Sequence, residues 1–109
     1  MILRPQDKAE IIKIAGRVLS ASVEVLAYGS RVDGTAYDTS DLDLALRSKG
    51  GHSIDTKELA AFRQSLHDSN IPILIQVVDW NTIPENFRQN ILKNYVVLYE
   101  SKPGAPTTR

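Results

Sequence analysis

Hydrophobic and polar residues alternate along this chain with two different periods. Residues 6–20 place apolar side chains near helical spacing with charged side chains largely opposite, which predicts a helix that packs on a sheet. Val23–Tyr28 is an apolar, β-branched run and predicts a strand. Asp41–Leu46 alternates acidic and apolar residues, which predicts a second strand with its leucines in the core. The polar residues 47–53 then predict an exposed loop.

The second half of the chain continues with two helices and two strands. Asp55 is placed to cap a helix, and Glu58 stands three residues later in the position of a capping box. Ile73–Val78 is an apolar run that predicts a buried strand. A helix start is predicted at Thr82–Glu85, where proline lies in the first turn, and a last strand at Tyr95–Tyr99.

This order of elements predicts an α/β (α+β) fold with a mixed β-sheet and helices mainly on one face. The other face of the sheet is expected to stay open. We expect one domain over residues 1–100 and a disordered tail over residues 101–109, which contain two prolines and a glycine.

Composition excludes several classes of function. The 109 residues contain 13 Lys and Arg against 13 Asp and Glu, so the chain offers little for a template-reading polymerase or for direct nucleic-acid binding, which need a basic groove. With no cysteine, the chain has no disulfide framework and no thiolate zinc site. The sequence shows no secretory signal and no run near the roughly 20 apolar residues that span a bilayer, so we expect a cytoplasmic setting.

Asp41 and Asp43 are the strongest candidates for chemistry, because alternation puts both carboxylates on one face of the predicted strand. Two such carboxylates repel one another unless cations lie between them, and Mg²⁺ prefers oxygen ligands. A pair of Mg²⁺ ions would suit displacement at phosphorus, that is, phosphoryl or nucleotidyl transfer. An acidic alternation is also typical of the solvated face of a half-buried sheet.

The turn before this strand favours the metal interpretation. Gly29 allows the backbone to approach a ligand closely, and Ser30 supplies a hydroxyl and an N–H. A helical turn over Ser30–Val32 would point free N–H groups at bound phosphate. Ten residues separate Ser30 from Asp41, so both parts lie in one short unit that suits a nucleoside triphosphate with its metals.

Seven residues in and around this unit resemble the signature of the DNA polymerase beta superfamily of nucleotidyltransferases: Gly29, Ser30, Arg31, Gly34, Ser40, Asp41 and Asp43. From Pro5 to about Glu100 the chain resembles the minimal nucleotidyltransferases (MNT), the partners of HEPN proteins in toxin–antitoxin pairs.

This resemblance implies a palm-like nucleotidyltransferase fold and an antitoxin that transfers AMP from ATP to a tyrosine of a HEPN ribonuclease toxin. It implies a hetero-oligomer with that toxin, two Mg²⁺ ions, and ATP as the substrate. Asp41 and Asp43 would be the catalytic residues and metal ligands. Gly29, Ser30 and Arg31 would bind the nucleotide, although Arg31 is also compatible with a surface position.

The match weakens at the third carboxylate of the superfamily. The corresponding strand of MNT chains commonly reads aspartate, two apolar residues, aspartate, tryptophan, whereas residues 76–80 here are Gln-Val-Val-Asp-Trp. Gln76 brings no charge and cannot act as a base. In a regular strand Asp79 faces the opposite side, so we expect a strand-end cap there. The alternative is that a bulge or the strand end turns Asp79 toward the metal as a substitute for Gln76. We therefore predict weak or absent AMP transfer with retained nucleotide binding.

Two alternatives remain open at this stage. The chain is also compatible with a non-catalytic antitoxin that acts by direct protein binding, or with nucleotidyl transfer to a small molecule or RNA. Trp80 and Phe87 are interpreted as core or partner-facing anchors rather than base-stacking platforms. Tyr28 is compatible with nucleotide contact or with an ordinary sheet position.

Overall fold

The fold is known from a computed structural model that describes residues 3–20, 22–34 and 41–101. Within these residues the elements follow in the order α1 (Pro5–Val18), β1 (Val23–Tyr28), α2 (Ser30–Asp33), β2 (Leu42–Ser48), α3 (Thr56–His67), β3 (Ile75–Asp79), α4 (Glu85–Lys93) and β4 (Tyr95–Glu100). The predicted order of helices and strands is confirmed. The tail predicted to be disordered lies, from residue 102 onward, outside the described residues.

The four strands form one mixed sheet in the order β3-β2-β1-β4. β1 is antiparallel to both β2 and β4, whereas β2 and β3 are parallel. The C-terminal end of β1 therefore meets the N-terminal ends of the other three strands at one end of the sheet. This arrangement confirms the predicted α+β class.

One face of the sheet carries the main core. The leucines of β2 are fully buried there, together with apolar side chains of α1 and α3, among them Ile11 and Phe62. The alternation in β2 thus places its apolar side chains as predicted. Burial of each such side chain is worth roughly 1.5–3 kcal/mol, which fixes the orientation of the strand.

The second face is only partly open. Ile91 of α4 packs on Leu26 and Ala45, and Trp80 and Ile83 lie against the same cluster. The expectation of an open second face is therefore correct at the carboxylates but wrong beneath α4. Helix α4 is short and buries only Ile91, so it covers only part of the sheet.

Three local predictions need correction. β2 begins at Leu42 rather than Asp41, and it extends through Arg47 and Ser48, predicted as loop, because these two residues pair with β1. β3 begins at residue 75 rather than 73. Glu58 does not complete a capping box, because its carboxylate accepts hydrogen bonds from the backbone N–H and the hydroxyl of a serine at the end of α1, Ser20.

In the described part of the chain no helix combines the length and apolar character needed to cross a membrane.

Candidate functional site

Asp41 immediately precedes β2 and Asp43 is its second residue, and both lie on the sheet face opposite the main core. Leu42 and Leu44 on the core side are fully buried, whereas both aspartates are partly exposed. Because successive residues of a strand point to opposite faces, burial of the leucines forces the two carboxylates outward on the same side. The predicted juxtaposition of the two carboxylates is confirmed.

Gly29 is held directly against this pair. It ends β1 with φ 85° and ψ −160°, a conformation that favours glycine. Tyr28 pairs with Asp43 across the two strands, which brings the turn beside the carboxylate. A Cβ atom at Gly29 would lie 2.5 Å from Asp43 Oδ2, so no larger residue fits without moving that carboxylate. Ser30 then begins the short helix α2, in agreement with the predicted helical turn.

The electrostatics of the site follow from this crowding. Partial burial, and after it the charge of Asp41, raise the pKa of Asp43 above its usual range. Burial, and after it the charge of Asp43, raise the pKa of Tyr28 to about 12. Both pKa shifts arise first from burial and second from the charge of a neighbouring aspartate.

Gln76 stands beside the two carboxylates, where the third acidic residue was expected. In the parallel pairing of β2 and β3 it is the partner of Asp43, so it lies on the same face. Its Nε2 donates a hydrogen bond to Asp41 Oδ2 at 3.3 Å. In residues 3–20, 22–34 and 41–101, no group of three or more acidic, histidine or cysteine side chains is placed to hold a metal. The site thus offers two carboxylates and one amide.

Asp79 has a structural role on the other side of β3. It is buried, and its carboxylate accepts hydrogen bonds from the backbone N–H of Ile54 at 2.8 Å and of Asn81 at 2.9 Å. It therefore ties the segment before α3 to the turn after β3. The predicted opposite orientation of Asp79 is confirmed, and these hydrogen bonds agree with the predicted strand-end role.

The arginines near the motif are buried or contact other side chains of the protein. Arg31 is only 5% exposed, so the alternative of a surface position is wrong, and its predicted contact with a nucleotide stays a prediction. Arg47 Nε donates to Glu24 Oε1 at 3.0 Å, and its guanidinium lies 5.3 Å from the ring centroid of Trp80. Arg88 lies over the same ring at 6.0 Å. Two guanidinium groups thus contact the Trp80 ring, which agrees with the interpretation of Trp80 as an anchor.

Sequence reasoning missed the contribution of α4 to this end of the sheet. Phe87 meets Tyr28 edge-on, with ring centroids 5.9 Å apart and an interplanar angle of 79°. Asn90 and Asn94 line a cavity with these two rings. The four-residue spacing of the asparagines was the available signal, because it places both on one side of a helix.

Comparison with known proteins identifies relatives over most of the chain. Residues 10–104 match the family described as polymerase beta nucleotidyltransferase. The chain is 34% identical over 96 residues to the probable protein adenylyltransferase MntA of Haemophilus influenzae, covering 88% of this chain and 82% of that protein.

Solved structures share the fold at lower identity. A chain in the crystal structure of a toxin–antitoxin with AMP-PNP matches with a TM-score of 0.70 and 20% identity, over 87% of this chain and 74% of that one. A chain in the structure of a tri-AMPylated Shewanella oneidensis HEPN toxin in complex with its MNT antitoxin matches with a TM-score of 0.67 and 16% identity, over 91% and 74%. These likenesses establish the fold.

The role of Asp79 can be tested by stability. We expect Asp79→Ala to lower the free energy of unfolding by about 2–3 kcal/mol, because the N–H of Ile54 is left buried without its acceptor. The control is Asp55→Ala, which removes an exposed helix cap that accepts from Lys57 N and should cost about 1 kcal/mol. Chemical denaturation measures both. Equal losses in the two variants would contradict the structural role of Asp79.

Proposed function

The chain belongs to the polymerase beta nucleotidyltransferase family, and on this basis we propose that it is the antitoxin of a toxin–antitoxin pair. It neutralises a HEPN ribonuclease toxin by transferring AMP from ATP to a tyrosine of that toxin. The reaction takes place in the cytoplasm, where ATP is available, and the two proteins form a hetero-oligomer.

One observation supports this function above the others. The backbone of Gly29 packs against Asp43, and Asp41 and Gln76 share the same face of the sheet. A nucleoside triphosphate needs a place for its phosphates next to a place for its cations, and this contact joins the two. The relatives strengthen the proposal, since one is a probable protein adenylyltransferase and others come from toxin–antitoxin structures.

The donor set fits magnesium. Asp41 and Asp43 are hard oxygen ligands, and the amide oxygen of Gln76 can join them. We propose that the two carboxylates hold both Mg²⁺ ions and that substrate phosphates and water complete their shells. When bound, Mg²⁺ would supply the positive charge that offsets the phosphates and that makes the attacking hydroxyl more acidic.

The transfer forms one bond and breaks one. The tyrosine oxygen of the toxin attacks the α-phosphorus of ATP, a new phosphorus–oxygen bond forms, and the bond to the β-phosphate bridging oxygen breaks with release of pyrophosphate. The phenol is neutral near pH 7, since its pKa is about 10, so its proton must be removed. Gln76 cannot accept that proton, and in this chain the proton passes to solvent. We therefore propose that transfer is slow.

The order of the strands sets the side from which the acceptor tyrosine approaches the nucleotide. Gln76 on β3, the aspartates on β2 and Gly29 at the end of β1 follow one another across the sheet. In-line displacement needs the attacking and leaving oxygens on opposite sides of phosphorus. With the phosphate tail at Gly29 and Ser30, the acceptor tyrosine enters near Gln76. A groove of about 570 Å³ opens there, between α3 and β3.

Gln76 also favours a second candidate function. An antitoxin that acts by direct protein binding would need no base at this position, and the nucleotide would then serve only to stabilise the site. The two functions differ in whether the toxin is covalently modified.

Intact mass of a co-expressed HEPN partner separates them. With this protein present, we expect the partner's mass to increase by one or more AMP groups, because prolonged co-expression lets slow transfer accumulate. The increase should disappear when Asp41→Asn or Asp43→Asn removes a metal-binding charge. Protection from toxicity with an unchanged mass would contradict AMP transfer and support direct binding.

The contact between Gly29 and Asp43 can be tested by a matched pair of substitutions. Gly29→Ala and Gly51→Ala both place alanine at positive φ, 85° and 78°, but a Cβ at Gly51 meets no atom within 4 Å. Both should lose roughly 1–2 kcal/mol of stability through backbone strain. Only Gly29→Ala moves Asp43. The affinity of this variant for ATP with Mg²⁺, measured by calorimetry, should therefore be at least about tenfold lower than that of the native chain. Similar affinities in both variants would contradict the role given to this contact.

A further inference from the structure

A cavity of about 280 Å³ lies between β1 and α4 on the same side of the sheet as the carboxylates. It is lined by Tyr28, Gly29, Phe87, Asn90, Ile91 and Asn94. None of the roles described so far uses it.

The cavity is continuous with the carboxylate pair. Gly29 forms part of its wall, and the same residue packs against Asp43. A ligand with phosphates beside Gly29 and Asp43 therefore has this cavity within reach for its remaining part. Because the groove near Gln76 lies on the other side of β2, the cavity is also clear of the acceptor's path.

The apolar walls suit an aromatic ligand. Tyr28 and Phe87 meet edge-on, and Phe87 keeps 36% of its surface exposed at the opening of the cavity. Ile91 is almost completely buried in the cluster below. Aromatic side chains stack on the faces of nucleic-acid bases irrespective of base identity. These two rings therefore supply affinity for a base without discriminating between bases.

The side-chain amides of Asn90 and Asn94 can discriminate between bases. Asn90 lies in the last turn of α4 and Asn94 is its C-cap, and both residues are exposed. Within residues 3–20, 22–34 and 41–101, neither side-chain amide hydrogen-bonds to another residue. Each amide offers a donor and an acceptor side by side. Asparagine pairs in this way with the N6 amino group and the N7 acceptor of adenine.

We propose that this cavity binds the base of the nucleotide, with Tyr28 and Phe87 against the ring and with Asn90 and Asn94 selecting adenine. The proposal rests on the nucleotide site given under Proposed function and adds the residues that choose the nucleotide.

The test compares three ligands on three proteins by calorimetry in the presence of Mg²⁺. The ligands are ATP, GTP and inorganic tripolyphosphate, which has no base. The proteins are the native chain, the double variant Asn90→Ala/Asn94→Ala, and the control Asn86→Ala, which removes an exposed amide from the same helix outside the cavity.

The native chain and Asn86→Ala should bind ATP more tightly than GTP. The double variant should lose roughly 5- to 100-fold in ATP affinity and should no longer separate ATP from GTP. Its affinity for tripolyphosphate should be unchanged, because the phosphate end of the site is intact.

Three results would overturn the proposal. Unchanged ATP affinity in the double variant would show that the base binds elsewhere, while the nucleotide site itself would stand. An equal loss for tripolyphosphate would place the amides at the phosphates or in the fold rather than at the base. If the native chain bound neither ATP nor tripolyphosphate, the function proposed above would fail together with this subsite.

Discussion

The antiparallel pairing of β1 with β2 is the constraint on which the whole site depends. Its register sets Tyr28 opposite Asp43 and so brings Gly29 against the carboxylate. A shift of one residue would turn the leucines of β2 to solvent and the aspartates into the core. At roughly 1.5–3 kcal/mol for each buried leucine, and with the cost of burying charge added, that alternative is strongly unfavourable. The hydrophobic core therefore positions the carboxylates.

A second register, that of β3 with β2, sets the position of Gln76. Parallel pairing of β3 with β2 puts Gln76 beside the two aspartates, where its amide donates to Asp41. An acidic residue there would add a third negative charge to a place that already raises the pKa of Asp43. Under the proposed function, glutamine would lower the charge repulsion at the site when no cation is bound, and it would remove the group that could accept a proton. Nucleotide binding and AMP transfer would then be separable at this position.

Periodicity was enough to predict β1, the leucine and aspartate faces of β2, and the opposite orientations of Gln76 and Asp79, because strand alternation is a local property. The extension of β2 through Arg47 was missed, since its strand pairing and its contact with Glu24 depend on a neighbouring strand. The burial of Arg31 and the position of α4 also arise from packing between distant segments. For this reason the cavity beside Tyr28 could not be predicted from spacing alone.

The central claim is that a competent nucleotide and metal site turns over slowly because Gln76 carries no charge. The most direct test is the rate of AMP transfer to the HEPN partner from labelled ATP with Mg²⁺, compared between the native chain and Gln76→Asp. The control Gln6→Asp adds the same charge at an exposed position of α1. We expect Gln76→Asp to raise the rate roughly 100-fold or more, as a positioned base does, and Gln6→Asp to leave it unchanged. A Gln76→Asp variant no faster than the native chain would contradict the account.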